Sequence, residues 1–173
     1  MPVTLRVPTA ADAEALVDLG RATFVETFGD LYREEDLRRF LQDTYAPAVI
    51  SRELADEQLI WQVAEERGKL IGYCKIYDGL SLDYDIGDQR AVQLNQLYIR
   101  ASHLGTGIAQ QLMDWALATA KSLGVEQMLL SVYCDNIRAQ RFYQNYGFTH
   151  AGDTIFLVGS HVDKEFIYSK ALI

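Results

Sequence analysis

At 173 residues the chain has the length of one compact domain, residues 1–173, with enough material to bury a sizeable core. Hydrophobic residues make up 49% and prolines number three, which excludes a disordered or fibrous chain. A formal net charge of −8 opposes binding to nucleic acid or an anionic membrane and suits a cationic small molecule, although acidity also serves solubility alone.

The N-terminal MPVTLRVPTAADAE lacks the apolar run of a signal peptide, and no stretch approaches the roughly 20 apolar residues that cross a bilayer. A cytoplasmic location is expected. Cys74 and Cys134 lie in strand-like sequence with neither CxxC spacing nor His neighbours. They read as two buried thiols, and no metal is implied.

VTLRV at 3–7 alternates like a first strand, and Thr9 with Asp12 fits a capping box that opens a helix carrying Ala13, Leu16, Val17, Gly20 and Phe24. Two further helices are expected from about Glu34 to Leu41 and from Pro47 to about Leu54, where proline suits a first helical position. LIWQVAEE, RGK and LIGYCKIY read as strand, tight turn and strand. A polar loop at 78–90 leads into the strand AVQLNQLYI. Ile108, Leu112, Ala116 and Leu123 mark an amphipathic helix that Gly124 closes. After the strand VEQMLLSVY, the segment NIRAQRFYQNY places Ala139, Phe142, Tyr143 and Tyr146 on one helical face, and Gly147 ends it. FTHAGDTIFLVG and KEFIYSKAL supply two or three more strands.

This order implies a mixed α/β sheet with helices on both faces. Residues 91–132 form a strand-loop-helix-strand unit of the kind that joins parallel neighbours. Its loop, LGTGIA at 104–109, lies at the carboxyl end of a strand, where ligands bind in open sheets. Small residues at a helix start let an anion reach unpaired N–H groups, so the loop is either a phosphate cradle or an ordinary turn. A mononucleotide P-loop would have Lys and Ser/Thr where Ile108 and Ala109 stand, and the third glycine of a dinucleotide fingerprint is missing.

LYIRASHLGTGIA followed by NIRAQRFYQNYGF resembles the paired motifs of the Gcn5-related N-acetyltransferase (GNAT) superfamily, which moves acetyl from acetyl-CoA to an amine. The resemblance covers residues 91–150 and implies a mostly antiparallel central sheet with a splayed parallel strand pair. It implies that backbone amides of Leu104, Gly105, Thr106, Gly107, Ile108 and Ala109 hold the pyrophosphate of CoA. The backbone of Leu97 and Ile99 would pair with the pantetheine arm at the split, where unpaired ladder groups suit an extended ligand. Asn136 would add a side-chain hydrogen bond, and Tyr143 would give a proton to the departing thiolate. Two positions depart from the pattern: Leu104 replaces a usual Arg or Gln, and Asn95 stands where many relatives carry a strand Glu that helps take the amine proton.

Each residue also has a plainer reading. Periodicity makes Tyr143 a core aromatic, and Asn136 has the residue type that commonly caps a helix. His103 beside the loop is a candidate base, but its expected role is that of a solvated surface residue. Glu26, Tyr32, Asp83 and Asp85 either line an acceptor cleft or serve surface and capping roles. Cys134 lacks the His partner of a nucleophile. FVETFGDLY and FLVGSHVDKEFIYSKAL are similar to bacterial spermidine/spermine N-acetyltransferases, which points to a polyamine or another small cationic primary amine. A protein or peptide acceptor, an aminoglycoside, and a catalytically silent acyl-CoA-binding or regulatory domain stay open, and a homodimer is compatible with the sequence.

Overall fold

The computed structural model describes residues 2–172. Its elements run β1 (Thr4–Arg6), α1 (Ala13–Phe28), α2 (Glu34–Thr44), α3 (Pro47–Ala55), β2 (Leu59–Glu66), β3 (Lys69–Tyr77), β4 (Ala91–Ile99), α4 (Ile108–Ser122), β5 (Gln127–Tyr133), α5 (Ile137–Asn145), β6 (Thr149–Val158) and β7 (His161–Ala171). One seven-stranded sheet has the order β1-β2-β3-β4-β5-β7-β6. All neighbours are antiparallel except β4 and β5, which the loop and α4 connect as expected. Among the described residues no helix is long and apolar enough to cross a membrane.

The ends of the chain's elements follow local chemistry. Thr9 N–H donates to Asp12 Oδ2 at 2.7 Å, and this turn is a short 3-10 segment that runs into α1. Pro47 stands at the first position of α3, where no N–H is needed. The expected final two or three strands are two, and β7 begins at His161 rather than at Lys164, because its hairpin with β6 continues to Val158 opposite His161.

Two apolar layers sandwich the sheet. On one face α4 buries Ile108, Leu112, Met113 and Ala116 against Cys74, Ile76, Val92 and Leu94. On the other, α1 and α3 bury Leu16, Val17, Phe24 and Ile50 against Trp61, Val63 and Tyr73. Truncating a fully buried side chain such as Leu112 to alanine costs about 2–5 kcal/mol. The segment 78–90, read from sequence as a polar loop, covers apolar surface: Leu80, Leu82, Tyr84 and Ile86 pack on Ala91, Leu129 and Ile167. Gln93 ties it down, its Oε1 accepting from both the N–H and the hydroxyl of Ser81 at 2.9 Å. These four apolar residues alternate with Ser81, Asp83 and Asp85, a period-2 pattern that the surrounding Asp and Gly residues mask as loop sequence.

Cys74 is buried, as expected, whereas Cys134 is only half-buried, since it follows the last residue of β5. Both thiols are pushed above their ordinary value, in each case chiefly by desolvation.

Candidate active site

Strands β4 and β5 pair only through Ala91–Gln127, Val92–Met128 and Gln93–Leu129, and then separate. A β-bulge sits at the point of separation: Lys75 of β3 faces Gln96, but the next residue, Ile76, faces Leu94, so Asn95 is the extra residue. The bulge shifts the alternation of β4. Val92 and Leu94 before it, and Leu97 and Ile99 after it, all meet the α4 layer. Arg100 N–H donates to Ile71 C=O at 2.8 Å, so alternate residues Tyr98 and Arg100 bond to β3. The backbone groups of Leu97 and Ile99 therefore point away from β3 into the split.

The split opens a cleft of about 730 Å³. One arm of it is built by the β4–α4 loop. Gly105 and Gly107 have φ of +78° and +89°, a conformation that favours glycine, and Gly107 is the residue before the first turn of α4. The first intrahelical bond runs from Gln111 N–H to Gly107 C=O at 3.1 Å. Among the described residues no acceptor takes the N–H groups of Ile108, Ala109 and Gln110, all of which line the cleft. Donors of this kind at the positive end of a 15-residue helix are suited to an anion. Leu104 is 45% exposed at the mouth and contributes no charge.

Opposite this loop stands α5. Asn136 Oδ1 accepts from Ala139 N–H at 3.2 Å, which makes it the cap of α5 and leaves its amide NH₂ free to donate. Tyr143 is half-buried between Phe142 and Phe148, with ring centroids 5.5 and 5.8 Å away. Its hydroxyl has no hydrogen-bond partner among the described residues, and Tyr143 lines the cleft. Burial, and secondarily the nearby Cys74, pushes this phenol well above its ordinary value, so it keeps its proton at neutral pH.

Of the residues singled out by sequence, the cleft gathers Leu97, Ile99, Leu104, Gly105, Gly107, Ile108, Ala109, Asn136 and Tyr143. Thr106 does not line it; its hydroxyl donates to His103 C=O at 2.5 Å and so braces the loop. His103 is not the solvated residue expected from sequence: Glu66 lies 2.9 Å from its Nε2 and the Ser102 hydroxyl 2.8 Å from its Nδ1. That pairing holds the loop to the end of β2.

The second arm is aromatic and acidic. Phe24, Phe28 and Tyr32 come from α1 and the turn after it, Phe40 from α2, Tyr133 from β5 and Phe156 from β6. Phe24 lies 4.7 Å from Phe40, and Phe28 meets Tyr133 edge-on at 6.1 Å. Four carboxylates line the cleft: Glu26, Glu53, Asp163 and Glu165. Glu26 lies 2.7 Å from Arg100 Nε and accepts from Ala101 N–H, whereas Tyr32 donates its hydroxyl to the buried Asp163. Asp83 and Asp85 stay outside, and Asp85 accepts from Gly87 N–H.

Below the aromatic arm the buried Lys75 pairs with Glu53 at 2.9 Å and lies 5.0 Å from the Trp61 ring centre. Desolvation lowers the Lys75 ammonium from its ordinary value, and Glu53 opposes that shift. Sequence reasoning missed Glu53, Lys75, Asp163 and Glu165. For Asp163 and Glu165 the signal was an interrupted apolar alternation in VDKEFIY, where both share one face of β7 with Ile167.

Residues 15–148 match the acetyltransferase (GNAT) family. The chain belongs to this family of acetyltransferases. An uncharacterised N-acetyltransferase of Mycobacterium tuberculosis is 30% identical over 162 residues, covering 94% of this chain and 99% of its own. Among solved structures, the PaiA N-acetyltransferase of Thermoplasma acidophilum in complex with coenzyme A has 22% identity and a TM-score of 0.79, covering 99% of both chains. The spermidine/spermine N-acetyltransferase SpeG of Vibrio cholerae has 18% identity and a TM-score of 0.68, covering 99% of this chain and 95% of its own. The GNAT fold accounts for the mostly antiparallel sheet and for its single splayed parallel pair. Among the described residues no group of three or more His, Cys, Asp or Glu side chains gathers as a metal site.

Proposed function

We propose that this acetyltransferase uses acetyl-CoA to acetylate a small cationic primary amine of the polyamine class by direct transfer. The observation that carries the reading is the meeting, in one cleft, of a helix N-terminus with unpartnered N–H groups and an arm of aromatic rings and carboxylates. The loop residues Leu104, Gly105, Gly107, Ile108 and Ala109 hold the pyrophosphate through backbone donors, with Thr106 bracing them. Leu97 and Ile99 offer backbone partners to the pantetheine amides, and the free NH₂ of Asn136 donates to the same chain. Coenzyme A in the Thermoplasma relative of the same fold supports this donor.

The chemistry is addition and elimination at a thioester. The amine lone pair forms a C–N bond with the acetyl carbon, a backbone N–H of β4 stabilises the oxyanion, and the C–S bond breaks. Tyr143, kept protonated by burial, supplies the proton that the leaving sulfur needs. Rings of Phe28, Tyr32 and Tyr133 face the acceptor's cationic end, where cation–π attraction contributes about 0.5–2 kcal/mol per contact. Asp163 supplies the opposite charge. The spermidine/spermine enzyme among the structural neighbours agrees with this acceptor class.

The test is release of CoA thiol from acetyl-CoA that depends on added amine, across polyamines, amino acids and peptides. Turnover with polyamines above the other groups is expected. Turnover with peptides alone would replace the acceptor, and tight acetyl-CoA binding without transfer to any amine would leave a silent acyl-CoA-binding domain.

A further inference from the structure

An attacking amine must lose a proton as its C–N bond forms, and Asn95, at the bulge where the cleft opens, has an amide with no basic atom. The other groups near the cleft are already engaged. Glu26 holds Arg100 and the N–H of Ala101, and Glu53 holds Lys75. Asp163 takes the Tyr32 hydroxyl on one oxygen and has His161 Nε2 2.9 Å from the other. Both ring nitrogens of His103 have partners. Among the described residues Glu165 is the cleft carboxylate with no ion pair.

Its place in the sheet suits proton transfer. On β7, Glu165 lies directly opposite Tyr133 of β5 and Thr154 of β6, in the aromatic arm. Tyr98 of β4 and Tyr143 of α5 line the same cleft as Glu165, which places the base and the thiolate's proton donor around one reaction space.

We infer that Glu165 is the general base that removes the proton from the attacking amine, a role that rests on the acetyltransfer reading above. The carboxylate takes one N–H proton while Tyr143 gives one to sulfur. The net products are the N-acetylated amine and CoA thiol, and Glu165 returns its proton to the Tyr143 oxygen through solvent. A carboxyl in this setting is a better base than an exposed one. Burial raises its affinity for protons, and so does Asp163 two residues away on the same face, whereas the Ser131 hydroxyl opposes both. The titratable groups around it are Asp163 on its own strand and Tyr133 directly opposite on β5, with Tyr98 of β4 and Tyr32 after α1 in the same cleft; Thr154 opposite on β6 and Ser131 complete the surround without titrating.

The test measures pH–rate profiles for the native enzyme, Glu165→Gln and Glu165→Asp with two acceptors of matched shape, an alkylamine and its less basic fluorinated analogue. Acetyl-CoA affinity is measured by calorimetry alongside. The native profile is expected to show an acid limb above the ordinary carboxyl range that is the same for both amines. Glu165→Gln should lower kcat about 100-fold and abolish that limb, with a smaller loss for the fluorinated amine, part of the rate restored by Glu165→Asp, and acetyl-CoA affinity unchanged. A Gln variant that keeps kcat and the limb while raising only KM would make Glu165 an acceptor-binding residue and overturn the proposal. If the variant loses acetyl-CoA binding through misfolding, the native profile decides, and a limb that moves with the amine overturns the proposal. No turnover by the native enzyme with any amine removes the acetyltransfer reading itself, and the base with it.

Discussion

The two arms of the cleft are built from different material. The loop arm offers backbone: left-handed Gly105 and Gly107, open N–H groups at the start of α4, and the unpaired edge of β4 after the bulge. The aromatic arm offers rings from α1, α2, β5 and β6, with the cleft's carboxylates on α1, α3 and β7. A ligand shared by many enzymes can be held by groups that any sequence supplies, provided two glycines and a helix start stand in place. A ligand that distinguishes one enzyme from another must be held by side chains, and these come from scattered positions.

Four substitutions break or sharpen that contrast. Tyr143→Phe lies where the arms meet and should lower kcat about 100-fold, with acetyl-CoA affinity within about twofold of native by calorimetry. The raised phenol predicts in addition no alkaline limb near the ordinary tyrosine range in the native pH profile. Gly107→Val acts on the loop arm alone. A β-branched residue at φ +89° is strained whatever the space around it, and relieving that strain would re-aim the N–H groups at the start of α4. Acetyl-CoA should bind about tenfold more weakly, near 1.4 kcal/mol, while KM for the amine stays constant.

Asp163→Asn is the mirror experiment, because it keeps an acceptor for the Tyr32 hydroxyl and removes one charge from the aromatic arm. KM for a dicationic amine should rise about tenfold and acetyl-CoA affinity should not move. The smallest effect is a gain. Leu104→Arg adds a cation at the exposed mouth of the loop arm and should tighten acetyl-CoA binding about two- to fivefold, a gain that 0.5 M salt erases.

The contrast also decides what could be read from the sequence. Glycines at 105 and 107 leave a local signature, as do the Asn136 cap and the Ala139–Phe142–Tyr143 face of α5, so the loop's glycines, the order of elements and the parallel crossover were legible from the residues, while the splay of the pair came from the family resemblance. The bulge at Asn95 was not, since one extra residue in AVQLNQLYI leaves the run apolar and only the pairing with β3 reveals it. Asp163 and Glu165 were hidden for another reason. They sit two apart on a strand whose apolar neighbours Phe166, Ile167 and Tyr168 mask the alternation, and their partners Tyr32, Tyr133 and Thr154 are brought to them by the sheet. His103 was misread because its partner, Glu66, is distant in sequence.

The central claim is that one arm holds acetyl-CoA by backbone and the other selects a multiply charged amine. It is tested most directly by comparing kcat/KM for an α,ω-diamine with that for the monoamine of equal chain length. The account predicts at least a tenfold preference for the diamine that disappears in Asp163→Asn. Equal values for the two amines in the native enzyme would contradict it.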